Sequence, residues 1–328
     1  MKKLILLTII CLGTWQLAFA QKKIVVAQDG SGDFTTVQAA INSLPQINLI
    51  EAQILVKDGV YAEKVLIDRD NVQLIGESKE GTQIAYTQLK NEWVKSPDAI
   101  GAAVLNITSD DVAIQNVTIQ NTSEKIGKTA YAVYATGTRI IFDNCNLIGN
   151  GANTVCLMDY KNGLYYLRAC EMSGAVDMFR AMGWCYAEHC SFYQHEAISS
   201  IWHAGITDAD QKMVVKDSYF DGVQHFFLGR SHYDSQFFIV DCEFSKRLAD
   251  KHFYRKTYEN NPEKAKYYPN TYGDRYYLSG NKQNGTDYAW LKADNLKDYS
   301  KKLKASQVNT SFVFGSKWNP EQKLQSLK

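Results

Sequence analysis

The stretch IIFDNCNLIG, residues 140–149, decides the fold. An apolar run leads into a small thiol residue, Cys145, and an apolar residue, Leu147, follows two positions later. The same form recurs in VAIQNVTIQN (112–121), LYYLRACEMSG (164–174), WCYAEHCSFYQ (184–194), MVVKDSYFDG (213–222) and FFIVDCEFSK (237–246). The matching small residues are Asn116, Cys145, Cys170, Cys190, Ser218 and Cys242, at spacings of 29, 25, 20, 28 and 24. A loose period in the twenties with strand-like alternation is typical of a solenoid of β coils.

The repeat therefore predicts an all-β fold, a right-handed parallel β-helix. Each coil would place its strand about 4.8 Å from the last, so that equivalent side chains form ladders inside. Parallel stacking holds Cβ atoms wider apart than the roughly 3.8 Å that a disulfide prefers, so we expect the six cysteines after residue 20 to be free, buried thiols. The alternative is a β-sandwich, because Asn150-Gly151 and Asn162-Gly163 could turn hairpins. The other gaps lack such a turn.

The first twenty residues, MKKLILLTIICLGTWQLAFA, combine a basic start, an apolar stretch and the small-residue site Ala18-Phe19-Ala20. This pattern predicts a cleaved secretory signal. We therefore expect a signal peptide at 1–20, a single β-helix domain at 21–328, a secreted or periplasmic location and no membrane association after cleavage.

The sequence also predicts how the solenoid begins and ends. Thr35 or Thr36 can cap a helix whose apolar face comprises Val37, Ala40, Ile41 and Leu44, and this helix would cover the open end of the solenoid. After residue 247 the repeat fades into a polar, tyrosine-rich segment.

Charge and composition indicate which classes of ligand the protein binds. Without the signal the chain has 34 basic and 35 acidic groups, because two of its 36 basic residues lie in the signal. Near neutrality argues against a nucleic-acid partner. Cys185, His189 and Cys190 lie close in sequence, but no second pair at zinc spacing accompanies them, so we expect neither metal nor cofactor. The 20 tyrosines suit a sugar-binding surface. We expect a monomer.

Several segments are similar to one known family. The chain resembles the pectin methylesterases, carbohydrate esterases built as right-handed β-helices. VVAQDGSGDFTTVQAAI (25–41), ILVKDGVYAEKVLI (54–67) and LIGES (74–78) are similar to the family's opening, and TDYAWLKADNL (286–296) and FVFGSKWNP (312–320) to its closing stretch. SGAVDMFRAMG (173–183) takes the place of the segment with the nucleophilic aspartate, and FFLGRSHY (226–233) that of the segment with the active-site arginine.

The resemblance implies that Asp177 is the nucleophile and Arg230 its partner. A carboxylate can attack the C6 ester carbonyl of a methyl-esterified uronic acid, and a guanidinium would hold that carboxylate ionised and aimed. The two residues are 53 positions apart, roughly two coils. The alternative is that Asp177 is a structural loop acid paired with its neighbour Arg180.

At other catalytic positions this sequence differs from the family's pattern. The family uses a second aspartate, preceded by glutamine, to protonate the departing methanol, and another glutamine to hold the oxyanion. In LIGNGANTVCLMDYKNGLYY (147–166) the acid falls on Asn153, after Ala152, or on Cys156, and Tyr131 stands at the other glutamine position. Asp159 is the only carboxylate in this stretch, and it either replaces the missing acid or belongs to a turn.

Further aromatic and polar residues are candidates for contact with a sugar. With Asp177, Arg230 and Asp159 as the catalytic set, the predicted substrate-binding residues are Tyr131, Asn153, Phe179, Trp202, His203 and Tyr233. His203 is also a candidate proton donor.

Three functions fit these residues. The first is an esterase that acts on methyl-esterified uronosyl residues of a pectin-like polysaccharide or oligosaccharide. The second is a non-catalytic glycan-binding β-helix that has lost its acid. The third is a polysaccharide lyase, which would need calcium ligands such as Asp110-Asp111 or Asp208 and Asp210; these pairs fit polar turns better.

Overall fold

The strands of this protein stack into three long parallel sheets. The computed structural model describes residues 22–257, 263, 271–285 and 288–325. Each coil passes through the first, second and third sheet in turn, and every inter-strand pairing within the sheets is parallel in the described residues. The fold is the predicted right-handed parallel β-helix. The predicted signal at 1–20 lies outside the described residues.

The first sheet contains β1 Lys22–Val26, β2 Ala52–Val56, β5 Val72–Gly76, β8 Ala113–Gln115, β11 Ile140–Asp143, β14 Leu164–Arg168, β17 Trp184–Glu188, β20 Met213–Lys216, β23 Ser235–Val240 and β26 Asp274–Ser279. The second sheet contains β3 Gly59–Tyr61, β6 Thr82–Tyr86, β9 Thr118–Asn121, β12 Asn146–Ile148, β15 Glu171–Gly174, β18 Ser191–Gln194, β21 Tyr219–Gly222, β24 Glu243–Phe244 and β27 Lys282–Gln283. The third sheet contains β4 Val65–Ile67, β7 Ala103–Ile107, β10 Tyr131–Ala135, β13 Val155–Leu157, β16 Phe179–Ala181, β19 Ser199–Trp202, β22 Phe227–Ser231 and β25 Tyr254–Arg255.

Inward-facing residues stack from coil to coil and fill the interior. In the first sheet this ladder runs Ile54, Leu74, Ile114, Phe142, Leu167, Ala187, Val215 and Ile239. All of them are buried in one continuous core. Alternation along each strand sends the next residue outward, so a functional residue on a strand is one place from a core residue.

The corner between the first and second sheets explains the small-residue repeat. The residues before Cys145, Cys170, Cys190, Ser218 and Cys242 all have positive φ, and this left-handed residue bends the chain sharply. The sequence alignment of Asn116 with Cys145 is wrong by one place. Asn116 has the left-handed conformation and pairs with Asn144, so Val117 is the equivalent of Cys145. The six described cysteines are free and buried, as expected.

Short helices lie at the start of the solenoid and along the outer face of its first sheet. Helix α1 Val37–Asn42 begins at Thr36, whose hydroxyl accepts the Ala39 N–H, and its predicted apolar face is buried. The other helices are α2 Lys90–Trp93, α3 Leu296–Tyr299, a 3₁₀ turn at Ala305–Gln307, α4 Thr310–Phe314 and α5 Pro320–Gln325. The segment from α3 to α5 packs on the outer face of the first sheet. The loss of the repeat after residue 247 does not end the solenoid, since β25, β26 and β27 add another coil.

Within the described part of the chain, no helix has both the length and the apolar character needed to cross a bilayer.

Candidate active site

One row of outward-facing side chains crosses the third sheet. Its members occupy the same position on successive coils, and we call them the outer row: Asn106, Tyr134, Cys156, Arg180, Trp202, Arg230 and Tyr254. Their strand neighbours, such as Val155 and Ile201, point into the core. The outer row therefore places two guanidinium groups, on Arg180 and Arg230, either side of one indole ring.

Asp177 lies just before β16, at the edge of this row. Its backbone has φ 52° and its N–H donates to the Ser199 carbonyl at 2.8 Å, which ties it to the next coil. Arg230 Nε donates to Asp177 Oδ1 at 2.8 Å and Arg230 Nη2 donates to Oδ2 at 2.6 Å. The Ser199 hydroxyl also donates to Oδ1. The side chain of Asp177 is 1% exposed, so this carboxylate is buried with a bidentate cation.

Electrostatics favour the charged form of the arginine. Burial works against the charge of Arg230, but the hydrogen bonds and charge of Asp177 outweigh it and raise the pKa of the guanidinium above its ordinary value. A buried carboxylate with a bidentate guanidinium is a pair whose separation would leave an uncompensated charge in the protein.

Arg180 does not pair with Asp177. Its guanidinium carbon lies over the Trp202 ring, 3.9 Å from the centroid, and its Nη2 donates to the Tyr160 hydroxyl at 2.9 Å. The Trp202 ring also packs on Arg230 and His232. Its centroid lies 5.6 Å from the guanidinium carbon of Arg230 and 4.1 Å from the centroid of the His232 ring. The ion pair of Asp177 is therefore with Arg230, and the alternative pairing within one segment is wrong.

Comparison with known proteins identifies the family of this chain. A family model described as Pectinesterase matches residues 23–219, which is more than half of the chain. The chain belongs to the pectinesterase family. Among curated pectinesterase relatives, Pectinesterase 31 of Arabidopsis thaliana is 29% identical over 177 residues, covering 51% of this chain and 55% of that protein. Probable pectinesterase/pectinesterase inhibitor 23 of the same plant is 29% identical over 168 residues, covering 51% of this chain and 28% of that protein. The chain thus spans about a quarter to about half the length of these relatives.

Solved pectin methylesterases share the architecture of this chain. The structure of a pectin methylesterase in complex with a hexasaccharide has a TM-score of 0.69 at 22% identity, covering 90% of this chain and 98% of that one. The pectin methylesterase from carrot has a TM-score of 0.70 at 17% identity, covering 94% and 96%. At these identities the likeness establishes the fold.

Asn153 lies beside Asp177, one coil earlier. The pairing of β13 with β16 sets Asn153 level with Asp177 on the preceding coil, at the strand spacing of about 4.8 Å. Its N–H donates to the Val176 carbonyl at 2.9 Å. Its Oδ1 is buried and accepts no hydrogen bond from any residue that the structure describes. The position next to the buried carboxylate is therefore held by a neutral amide.

Tyr131 and Cys156 lie on the same side of the pair. Tyr131 packs on Tyr134 at 5.2 Å between centroids and shares an apolar cluster with Cys156. Burial raises the pKa of Tyr131 above its ordinary value and that of the Cys156 thiol to about 12. Both groups are neutral at pH 7 and can donate hydrogen bonds, but both are weak acids.

The structure does not bring Asp159 to Asp177. Asp159 lies beyond the end of β13, whereas the position level with Asp177 lies before the start of β13. Its Oδ1 accepts the backbone N–H groups of Lys161 and Asn162, both at 2.9 Å. Asp159 is therefore a turn residue, as the second of its two interpretations from the sequence expected.

Two predicted sugar contacts are interior residues. Phe179 is fully buried and packs on Phe192, and its strand neighbour Arg180 points outward instead. His203 is fully buried, with Nε2 on the Gly183 carbonyl at 3.1 Å and Nδ1 accepting the backbone N–H of Gln236 at 3.3 Å. Strand alternation is the reason in both cases, so neither side chain lines an outer cleft.

The remaining predicted residues lie on the outside. Trp202 is in the outer row, and Tyr233 is half-buried after β22 with its ring edge-on to His232 at 6.1 Å. On the preceding coils a cavity of about 400 Å³ is lined by residues that include Lys90, Trp93, Asn106, Tyr131 and Tyr134. Among the described residues no cluster of three or more histidine, cysteine, aspartate or glutamate residues could hold a metal ion.

Sequence reasoning missed Ser199, which binds the buried carboxylate. It is 22 residues after Asp177 and level with it on the next coil. Alignment of successive coils would have identified Ser199. The loops between strands vary in length, so this alignment cannot be deduced from the sequence.

Proposed function

We propose that this pectinesterase removes methyl esters from uronosyl residues of a pectic polysaccharide, with Asp177 as nucleophile and Arg230 as the group that orients it. The observation that carries the proposal is the bidentate pair at 2.6 and 2.8 Å on the outer face of the third sheet. A purely glycan-binding surface has no need of a buried carboxylate with a bidentate guanidinium. The bound hexasaccharide of a similar pectin methylesterase structure supports a pectic oligosaccharide as the ligand class.

The chemistry follows from one desolvated carboxylate. An oxygen of Asp177 attacks the ester carbonyl carbon, and the bond to the methoxy oxygen breaks. The methoxy group takes a proton from solvent water and leaves as methanol. Water then hydrolyses the acyl-enzyme and returns both carboxylates. Arg230 holds the attacking group in place throughout. Because Asp177 is 1% exposed, the substrate has to displace neighbouring side chains to reach it.

Proton delivery is the weak point of this site. The residue beside Asp177 is Asn153, and an amide cannot act as a general acid at neutral pH. The nearby thiol of Cys156 has its pKa raised to about 12 by burial, so it is a poor donor. General acid catalysis contributes about 10²- to 10⁴-fold, so we expect slow turnover on plain methyl-esterified galacturonan.

The cellular location of the protein is part of the same proposal. The predicted signal at 1–20 would export the protein to the periplasm or the medium, where polysaccharide is available. The monomeric state and the single domain at 21–328 are part of this proposal.

A glycan-binding protein without catalysis is the second candidate. The amide of Asn153 and the burial of Asp177 favour it, because both reduce reactivity while leaving the outer surface intact. The two candidates differ in one product, methanol.

The test is methanol release from methyl-esterified pectin by the wild type, Asp177→Asn and Asp221→Asn. Asp221 pairs with Arg247 on the second sheet and is the matched control. We expect Asp177→Asn to lose about 10³-fold or more of the wild-type rate and Asp221→Asn to lose none. Wild-type protein that binds polygalacturonate and releases no methanol would establish the second candidate instead.

A further inference from the structure

Two tyrosine rings project from the second sheet, on a face of the solenoid that the candidate active site does not use. Tyr193 on β18 is 40% exposed and Tyr219 on β21 is 37% exposed. Their strand neighbours Phe192 and Phe220 point into the core, where the two rings stack at 4.4 Å. Strand alternation therefore directs both tyrosines outward, and the active site on the third sheet leaves them without a role.

A hollow of about 240 Å³ lies beside these rings, and short side chains line it as well. Ser191 is level with Tyr219, and Ser173 is level with Tyr193 on the preceding coil. A serine next to each tyrosine leaves open the space that a second large side chain would fill. The hollow therefore has tyrosine rings at its sides and serine hydroxyls between them.

The register of the sheet sets the distance between the two tyrosines. Tyr219 lies one coil after Tyr193 and two residues nearer the start of its strand. A strand spacing of about 4.8 Å and a rise of about 3.3 Å per residue put their Cα atoms about 8 Å apart. Carbon atoms in contact are about 3.5–4.0 Å apart, so a ring held between two others needs about 7–8 Å. The spacing suits one sugar ring, and the His195 ring holds Tyr193 edge-on at 5.2 Å.

Hydroxyl groups make the hollow polar as well as aromatic. Within the ranges that the structure describes, the side-chain oxygens of Ser173, Ser191, Tyr193 and Tyr219 make no hydrogen bond to another residue. Each of these hydroxyls can both donate and accept. Apolar ring faces beside unused hydroxyls are complementary to a pyranose, which has apolar faces and a rim of hydroxyl groups.

The charge around the hollow indicates which class of sugar it takes. Glu171 lines the hollow and forms an ion pair with Lys79 at 2.7 Å. The adjoining depression shares Tyr219 and is lined by Asp241 and Glu243, neither of which has an ion-pair partner within 4.0 Å in the described part of the chain. Unpaired carboxylates repel a polyuronate and accept hydrogen bonds from sugar hydroxyls. The charge therefore favours a neutral sugar.

We propose that the hollow lined by Ser173, Ser191, Tyr193 and Tyr219 binds a neutral hexopyranose residue of a polysaccharide. This site is separate from the ion pair on the third sheet and needs no ester hydrolysis, so it does not depend on the proposed function. A glycan bound there anchors the protein through its second sheet and leaves the third sheet open. The neutral sugar belongs either to a side chain of the pectic polymer or to an unrelated neutral glycan.

Saturation-transfer NMR titrations test the site with three probes: β-1,4-linked galactotetraose, cellotetraose and de-esterified galacturonate tetramer. The proteins are the wild type, Tyr193→Ala, Tyr219→Ala, the double variant, Tyr193→Phe and Tyr86→Ala. Tyr86 on β6 is a matched control, because it is 40% exposed on the same sheet. We expect each tyrosine-to-alanine change at the hollow to raise the Kd for a neutral probe about 3- to 10-fold, and the double change to raise it further. Tyr193→Phe keeps the ring and should raise the Kd less than Tyr193→Ala, and Tyr86→Ala should leave it unchanged.

The two neutral probes distinguish the sources of the sugar. Binding of galactotetraose alone indicates a pectic side chain, and binding of cellotetraose, alone or as well, indicates a general site for neutral hexopyranoses. A wild type that binds neither neutral probe overturns the inference, and so does a double variant that binds them as tightly as the wild type. Equal losses in Tyr86→Ala, or equal losses for the galacturonate tetramer, also overturn it. Methanol release is not measured here, so failure of this inference leaves the proposed function untouched.

Discussion

Lowering the pH should destabilise this protein through a single buried histidine. His203 is fully buried, its Nδ1 accepts the N–H of Gln236, and its ring meets Phe237 edge-on at 5.7 Å. Burial, with a smaller effect from the charge of Arg275, lowers the pKa of His203 from 6.5 to about 4. Protonation of Nδ1 would break its hydrogen bond and leave a cation in the core.

The sign and size of the effect follow from linkage. Below pH 6.5 the unfolded chain binds a proton at His203 that the native protein does not bind until about pH 4. The free energy of unfolding therefore falls as the pH drops from 6.5 to 4, and this contribution stops changing below that. The difference between the two pKa values corresponds to about 3 kcal/mol.

Urea unfolding at pH 7, 5.5 and 4 measures the effect on the wild type, His203→Gln and His225→Gln. His225 is exposed and serves as the matched control. We expect the wild type and His225→Gln to lose about 3 kcal/mol more stability between pH 7 and pH 4 than His203→Gln does. Parallel pH profiles for the wild type and His203→Gln would show that His203 is not the titrating group.

Three further changes test the site and the scaffold. Arg230→Met should lower the free energy of urea unfolding by about 3–5 kcal/mol, because Asp177 then stays buried without its cation. Adding Asp177→Asn should restore part of that stability. A double variant no more stable than Arg230→Met would contradict this. Asn153→Asp should raise methanol release about 100-fold by supplying a general acid, and an unchanged rate would place the missing acid elsewhere. Phe220→Ala should cost about 3–5 kcal/mol of unfolding free energy, since its ring stacks between two phenylalanines at 4.4 and 5.0 Å, and a loss below 1 kcal/mol would mean that the interior ladder closes over the gap.

The scaffold could be predicted because its physical signal repeats. Every coil needs a residue that fills the narrow interior just after the left-handed corner, and Cys145, Cys170, Cys190 and Cys242 mark those positions in the sequence. Helix α1 was predictable for a local reason, since its cap and its apolar face lie within a few residues of each other.

The candidate site was harder to predict because adjacent residues of a strand point to opposite faces of the sheet. Phe179 and Arg180 are neighbours, as are Trp202 and His203, and in each pair one side chain enters the core while the other joins the outer row. Sequence alone gives no register for such short strands, and a shift of one residue exchanges inside for outside. The partnership of Asp177 with Arg230 was predicted only through the family resemblance, because the two residues are 53 positions apart and the loops between coils vary in length.

The amide at Asn153 fits the electrostatics of a site with one buried guanidinium. A carboxylate there would lie about 4.8 Å from the chain that carries Asp177. Arg230 already directs its Nε and Nη2 to Asp177. Two buried acids that share one cation repel each other, and one of them stays protonated, which is what a general acid requires. Stability and acid catalysis therefore make opposite demands on position 153. With asparagine there, this protein has the arrangement that favours a stable pair.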